Sequence, residues 1–556
     1  MCHEIDCLLI GHNEMRFTEY EEMVRSMGIR SGAYHDLNMN FIQYKGHLYT
    51  LSELYNLFSY NLDDSKIQKD LCLGDTFSAC IAYLGTYLYR RNLSFDYINS
   101  YQNEKENLIE LLKTKSIRVI AITTTLYVSI FPIIEIMSLI KQYNEKTLIV
   151  VGGPFVSTNV RTQDEQTLQY LFNQIGADYY INSSQGEKAL ADLISCIKEH
   201  KSTDHIDNLY YRKDSQYIVG GGIPEDNRLE QNMVDWSLFK GRVGDYVALR
   251  TAISCPFSCS FCGFPQHAGK YQTVGIEAVE YELNKLYELG TVKSINFIDD
   301  TFNVPPERFK DLLRMMIKKK YGFKWHSYFR CQFADREMLE LMKESGCEGV
   351  FLGIESGSQN ILEKMNKKVT MDDYIRGHLL LNEYDIMTFD SFITGFPGET
   401  EETVKETIQF IEDMKPTFYR SQLWYCETIT PIWKKRKEYK INGSEFEWSH
   451  YTMDSETALN MLDKMFLEIK NSIWLPQYNF DFVNVFHLLH RGHSMQQIKL
   501  MVSCFADGIK EKLIHPNKME ISSEIIDRFQ NICSENQGIY GKEPENTAMF
   551  DADFNF

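Results

Sequence analysis

The chain has 556 residues, 44% of them hydrophobic, with 13 cysteines and a formal net charge of −19. That length calls for two or three domains, because single cores stop growing at ~250–300 residues. The acid excess argues against a surface built to track nucleic-acid phosphates, and 13 prolines without a low-complexity tract argue against long disorder.

The opening residues MCHEIDCLLIGHNE lack the basic stretch and long apolar run of a secretory signal. Cys7, Cys80 and Cys426 stand singly in apolar surroundings, as core cysteines of a reducing compartment do, so a cytoplasmic protein is expected. Short β-rich runs then alternate with helical patterns. Strands are predicted at 5–11, 95–99, 118–125, 147–153 and 178–183, and helices near 76–91, 103–115, 129–143 and 186–199. This is an α/β pattern, a doubly wound parallel sheet over 1–206. The apolar stretch 117–140 carries Arg118, Pro132 and Glu135, and so reads as strand, loop and helix rather than as a membrane span. Ligands of such sheets bind beyond the C-terminal strand ends. The candidates there are His12 and Asn13, Thr124 and Thr125 with Ser129 beyond them, Gly152 and Gly153, and Asn182 and Ser183 with Gly186 in the next turn.

Residues 207–246 read as a hairpin and connector. A second alternation follows, with strands at 247–254, 293–298, 324–331, 349–354, 387–394 and 418–425 and helices near 276–289, 306–319, 335–345, 371–383 and 401–414. Six βα units in a row predict a partial (β/α)6 barrel over 247–428, with its site at the C-terminal strand ends. Residues 429–556 turn mostly helical and carry Trp433, Trp448 and Trp474, which predicts a third domain packed on or capping the barrel mouth. His487, His490 and His493 recur there at spacing three, as a polar helix stripe or a substrate-contacting cap rather than a metal site.

The segment 254–265 reads SCPFSCSFCGFP, placing Cys255, Cys259 and Cys262 in the pattern C-x3-C-x2-C directly after a predicted strand. A [4Fe–4S] cluster normally takes four thiolates. Three close cysteines leave one iron free for a non-protein ligand, and Phe261 stands ready to shield the cluster from water. Zinc is the alternative, with His267 as a fourth ligand, although structural zinc sites more often use paired C-x-x-C or Cys/His sets.

This motif on a first barrel strand resembles the signature of the radical S-adenosylmethionine (SAM) superfamily. The remaining strands resemble it in order. FIDDTF (297–302) resembles the acidic turn at the SAM amino group, with Asp299 and Asp300. WHSYFRC (325–331) brings Arg330 to the SAM carboxylate, FLGIESGS (351–358) brings Gly353 and Glu355 to its polar groups, and FITGFPGET (392–400) lies near the adenine. VVGGPFVS (150–157) and YINSSQGEKAL (180–190) resemble the Gly turns of the cobalamin-binding class of that superfamily, whose flat corrin needs small groups at the strand ends. A G-x-G-x-x-G fingerprint is absent, which speaks against NAD. The D-x-H-x-x-G pattern is absent too, so the resemblance implies a cobalamin with no histidine under cobalt. Residues 6–42 are similar to the subgroup of phosphinate P-methyltransferases.

The resemblance implies three cofactors: a [4Fe–4S] cluster, SAM and cobalamin. It implies methyl transfer to an unactivated carbon or phosphorus centre through a 5′-deoxyadenosyl radical. Ring formation or rearrangement without methyl transfer is the alternative. A tRNA methylthiotransferase is disfavoured, because Cys2, Cys7, Cys72 and Cys80 form no three-cysteine arrangement and the tail is not basic. The expected partners are a small-molecule or peptide substrate and an external one-electron reductant of flavodoxin or ferredoxin type, with no nucleic acid and no membrane. Tyr328, Gln332, Asp390 and Tyr425 are the candidate catalytic groups facing the substrate.

Overall fold

A computed structural model describes residues 4–59, 70–72, 76–127, 129–518 and 520–534. It is a mixed α/β structure with two large sheets. The first comprises β1 (Glu4–His12), β2 (Phe95–Ser100), β3 (Ser116–Thr123), β4 (Leu148–Gly152), β5 (Tyr179–Ile181), β6 (Leu209–Lys213) and β7 (Gln216–Val219). The spatial order is β2-β1-β3-β4-β5-β6-β7, parallel as far as β5. The chain reverses direction across the sheet between β1 and β3, and in open α/β sheets the ligand crevice lies at that switch point. Fully buried strands need continuous apolar runs. β1 supplies Leu8 and Ile10 and β3 supplies Ile120 and Ile122, which pack with Ile133, Ile136 and Ile140 of the helix Phe131–Tyr143. The apolar stretch 117–140 thus divides into strand and helix, and among the described residues no helix is long and apolar enough to cross a membrane.

Two differences from the expected pattern are physical. The hairpin within 207–246 is no free connector: β6 pairs antiparallel with β5 and extends the sheet. Helices Phe17–Ser26, Gly32–Asn38, Pro154–Thr162 and Glu165–Ile175 were not predicted.

The second sheet contains β8 (Tyr246–Leu249), β9 (Ser294–Phe297), β10 (Lys324–Phe329), β11 (Cys347–Glu355), β12 (Met387–Thr394), β13 (Phe418–Leu423) and a short β14 (Ile473–Trp474). They pair in chain order, all parallel, and no pairing of β14 with β8 is seen among the described residues, so the barrel is partial. Its helices start where a side chain caps the free N–H groups: Asp335, Thr370 and Thr400 accept from the third residue on.

By contact, the chain falls into two compact units. Both sheets lie in the first, Met1–Met39 with Cys72–Tyr478. Trp448 belongs there, packed against Trp424 at 5.1 Å in a core with Phe396, Met365 and Ile432, and Trp474 forms β14. The segment 429–478, expected in a helical third domain, therefore builds the barrel unit instead. The second unit joins Asn40–Leu71 to Asn479–Phe556. In it, Tyr55 Oη meets His493 Nε2 at 2.9 Å. His487 and His490 lie on the helix Phe482–His490 and His493 beyond it, and no metal-holding group of three forms there among the described residues.

Candidate active site

The loop with three cysteines begins one turn past β8. Asp299 anchors its start, accepting the backbone N–H of Thr251 at 2.7 Å and of Ala252 at 2.9 Å. Ser254 takes a left-handed φ of +65°, which turns the chain into Cys255. Two of the sulfurs have donors. Cys259 accepts Arg330 Nη2 at 3.5 Å, and Cys262 accepts the N–H of Phe264 at 3.4 Å. Donors to sulfur favour the thiolate and tune a cluster. Burial works the other way and pushes the Cys262 thiol up to about 11, with Cys259, Cys255 and Asp300 adding to it. The loop is clamped from outside. Ser260 donates its N–H to Met365 O at 2.8 Å and its hydroxyl to Lys364 O at 2.7 Å, and accepts the Ile432 N–H at 2.9 Å. Asn366 Nδ2 donates to Ser258 O at 2.7 Å. The donor set fits a three-thiolate site. The loop gathers the sulfurs without drawing three ligands to metal-holding spacing among the described residues.

Beside the loop lie groups that fit a zwitterionic ligand. Arg330 is buried, with its guanidinium 3.5 Å over the Phe257 ring. Its backbone is held by Asn303 in both directions at 2.9 Å. Glu355, at φ +70°, pairs with Lys367 Nζ at 2.8 Å, both nearly buried. Gly353 makes that pair possible: a Cβ there would lie 2.6 Å from Glu355 Oε1. Asp299 is engaged by the loop backbone, which leaves Asp300 as the acidic group of the turn, pushed up to about 7 by desolvation. Phe261 meets Phe396 edge-on at 6.5 Å, with Lys367 Nζ 5.5 Å from its ring.

At the switch point of the first sheet, His12 is buried, its Nε2 has no hydrogen-bond partner among the described residues, and burial holds it near 4, so the ring is neutral. Asn13 is engaged elsewhere, donating to Pro132 O at 2.8 Å and accepting from Gln102. Thr124 Oγ1 donates to Gly152 O at 2.9 Å and accepts the Phe155 N–H at 3.2 Å. Gly153 has φ +111°, and a Cβ would meet Thr124 Oγ1 at 2.9 Å, so only glycine fits. Thr125 bonds Cys80, Ser129 bonds Met15, and Ser183 accepts the Gln185 N–H. Asn182 uses its N–H on Asn208 O, and Gly186 starts the helix Glu187–Lys198 at φ +81°. Leu126, at φ +73°, and Phe131 stand 62% and 49% exposed at this edge. An orphaned imidazole nitrogen, a glycine edge and uncovered apolar side chains fit a broad, flat ligand with an apolar face.

Of the four candidate substrate groups, Asp390 faces away from the side of the sheet that carries Tyr328. Tyr328, 40% exposed, continues through Phe351 to Phe389 in steps of 4.8 Å along one face of the sheet. Asp390 follows Phe389 on the strand and so faces the other way, where its Oδ2 meets His378 Nε2 at 3.1 Å on the outer helix Met371–Glu383. It is a buried packing pair and not a substrate contact. Gln332 is buried with both amide atoms unpartnered among the described residues. Tyr425 lies two residues past β13, 41% exposed and edge-on to Phe446 at 4.9 Å. The sequence reading missed Lys367, Asn303 and Thr251. Nothing in the run NKKV separates Lys367 from its exposed neighbour Lys368.

This barrel and its three-thiol loop define a radical SAM domain: residues 250–411 match the model described as Radical SAM superfamily. Among curated relatives, an uncharacterised methyltransferase of Pyrococcus horikoshii is 24% identical over 357 residues, 62% of this chain and 75% of that protein. Two solved structures share the fold. The radical SAM methyltransferase TsrM of Kitasatospora setae, with cobalamin and a [4Fe–4S] cluster bound, has TM-score 0.54 at 21% identity, covering 65% of this chain and 75% of its own. The cobalamin-dependent SAM radical enzyme OxsB, with aqua-cobalamin and SAM bound, has TM-score 0.59 at 14% identity, covering 96% and 83%.

Proposed function

We propose that this chain is a cobalamin-dependent radical SAM methyltransferase acting on an unactivated carbon or phosphorus centre of a small molecule or peptide. The observation that carries the reading is the pairing, in one compact unit, of the three-thiol loop above β8 with the glycine-lined switch point between β1 and β3. When bound, the cluster with SAM supplies a 5′-deoxyadenosyl radical and the corrin supplies a transferable methyl group.

The chain's own residues hold and orient these groups. Cys255, Cys259 and Cys262 would hold the cluster, and Arg330 would pair with the SAM carboxylate. Asp300 would take the ammonium group of the same ligand, and Glu355 its polar groups. Phe261 and Phe257 keep water from the loop. At the other site, the neutral, buried His12 and the bare backbone of Gly152 and Gly153 would hold the corrin. Tyr328, Gln332 and Tyr425 orient the acceptor.

Anaerobic reconstitution tests the reading. Corrin absorption beside an iron–sulfur shoulder, and a product heavier than its substrate by one CH2, support it. SAM cleavage with a product of unchanged carbon count would instead select ring formation or rearrangement.

A further inference from the structure

The chain is strongly acidic, yet Lys434, Lys435, Arg436, Lys437 and Lys440 put five cations into seven residues, all exposed. None of the five forms an ion pair with a described residue, whereas Arg118, Arg242, Lys310 and Arg336 all do. Glu438 is the one acidic residue within the run, so 434–440 carries a net excess of four positive charges. Its placement is fixed. The turn Pro431–Lys435 is pinned where the Ile432 N–H donates to Ser260 O at 2.9 Å, and the Ile432 side chain is buried with Phe396 and Trp424. Arg436 lies 5.3 Å over the Trp433 ring, and the Ile441 N–H donates to Arg436 O at 2.8 Å. Ser260 is the residue after Cys259. Its other two bonds go to Lys364 O and Met365 O, on the segment that also carries the exposed Lys368. Of these cations Lys434 follows Ile432 by two residues and Lys440 by eight, so the run begins about two Cα steps of ~3.8 Å from the hydrogen bond that holds the cluster loop.

We infer that this patch docks an acidic one-electron carrier protein, flavin- or iron–sulfur-bearing, for delivery of the electron that opens SAM. The inference rests on the proposed function above. In the step, the carrier loses one electron and the cluster, held by Cys255, Cys259 and Cys262, gains it; no atom is transferred. A carrier needs only proximity to the cluster loop, and the patch is the concentration of unpaired positive charge attached to that loop. Complementary charge accelerates encounter and makes it salt-sensitive.

The test compares the parent with the K434E/K435E/K437E variant, both reconstituted, measuring 5′-deoxyadenosine release driven either by a reduced acidic flavodoxin or by dithionite. We expect the flavodoxin-driven rate at low salt to fall about tenfold or more, with its salt dependence flattened, and the dithionite-driven rate to stay that of the parent. A neutral variant, K434Q/K435Q/K437Q, should fall between. An unchanged flavodoxin rate overturns the inference. Equal loss with both reductants also overturns it, because the patch would then only brace the loop. So would a variant that loses binding of single-stranded RNA while keeping its flavodoxin rate. Parent protein that releases no 5′-deoxyadenosine with either reductant defeats the proposed function itself.

Discussion

Lys367 and Glu355 form a nearly buried ion pair at 2.8 Å. Removing one member of a buried pair leaves an uncompensated charge, at about 3–5 kcal/mol. Lys367→Met should therefore lower unfolding free energy by that order and weaken SAM binding, and adding Glu355→Gln should recover part of the stability but not the binding. Denaturant titration and equilibrium dialysis of SAM separate the two effects. The buried Asp390–His378 pair gives the opposite pattern. Asp390→Asn should cost about 1–3 kcal/mol of stability while SAM cleavage per folded molecule stays at the parent value. A specific loss of cleavage would return Asp390 to the substrate site. Which face of β12 meets the substrate was not legible in the sequence. Strands of a helix-covered parallel sheet are apolar on both sides, and Phe389, Asp390 and Phe392 are all buried. Nor does any local signal mark the Glu355–Lys367 pair, whose members lie twelve residues apart across the helix Gln359–Lys364.

At the scale of elements, the turn between β12 and the helix Glu401–Met414 carries a buried carboxyl. Glu399 accepts the Gly395 N–H, and burial pushes it up to about 8. A carboxyl whose folded value exceeds its unfolded one binds its proton more tightly when folded. It therefore stabilises most at low pH, and the contribution declines as pH rises from the ordinary Glu range through about 8. Glu399→Gln keeps the acceptor and should flatten the fall in stability between about pH 5 and 8; a profile as steep as the parent's would show that Glu399 does not titrate there. In the first sheet, Gly153→Ala forces a side chain onto φ +111° and against Thr124. It should cost about 1–3 kcal/mol and lower the cobalamin retained per chain, read from corrin absorbance. The barrel helices were legible because Asp335, Thr370 and Thr400 mark their starts and apolar spacing marks their faces. The helix Pro154–Thr162 was not, because the glycine pair before it reads as a turn and only Phe155 and Val156 of its side chains are buried.

Across the whole first unit, Arg250 joins the two sheets. It follows β8 directly, stacks 4.4 Å over Tyr83 of the helix Ala79–Tyr89, and lies near Glu187 at the glycine turn of the first sheet and Glu282 behind the barrel. Arg250→Met should remove the cation over Tyr83, destabilise the unit by about 2 kcal/mol, and raise the ratio of 5′-deoxyadenosine to methylated product as the sheets lose their fixed separation. The division into α/β sheet and partial barrel was legible because strand and helix periods alternate along the chain, whereas β14 and the segment 429–478 were not, since two-residue strands leave no periodic trace. The account stands on the three thiols above β8, and one measurement reaches them most directly: nucleoside release from SAM on reduction of reconstituted Cys259→Ala protein beside the parent. The parent should release 5′-deoxyadenosine and the variant only background. Equal release from both would contradict it.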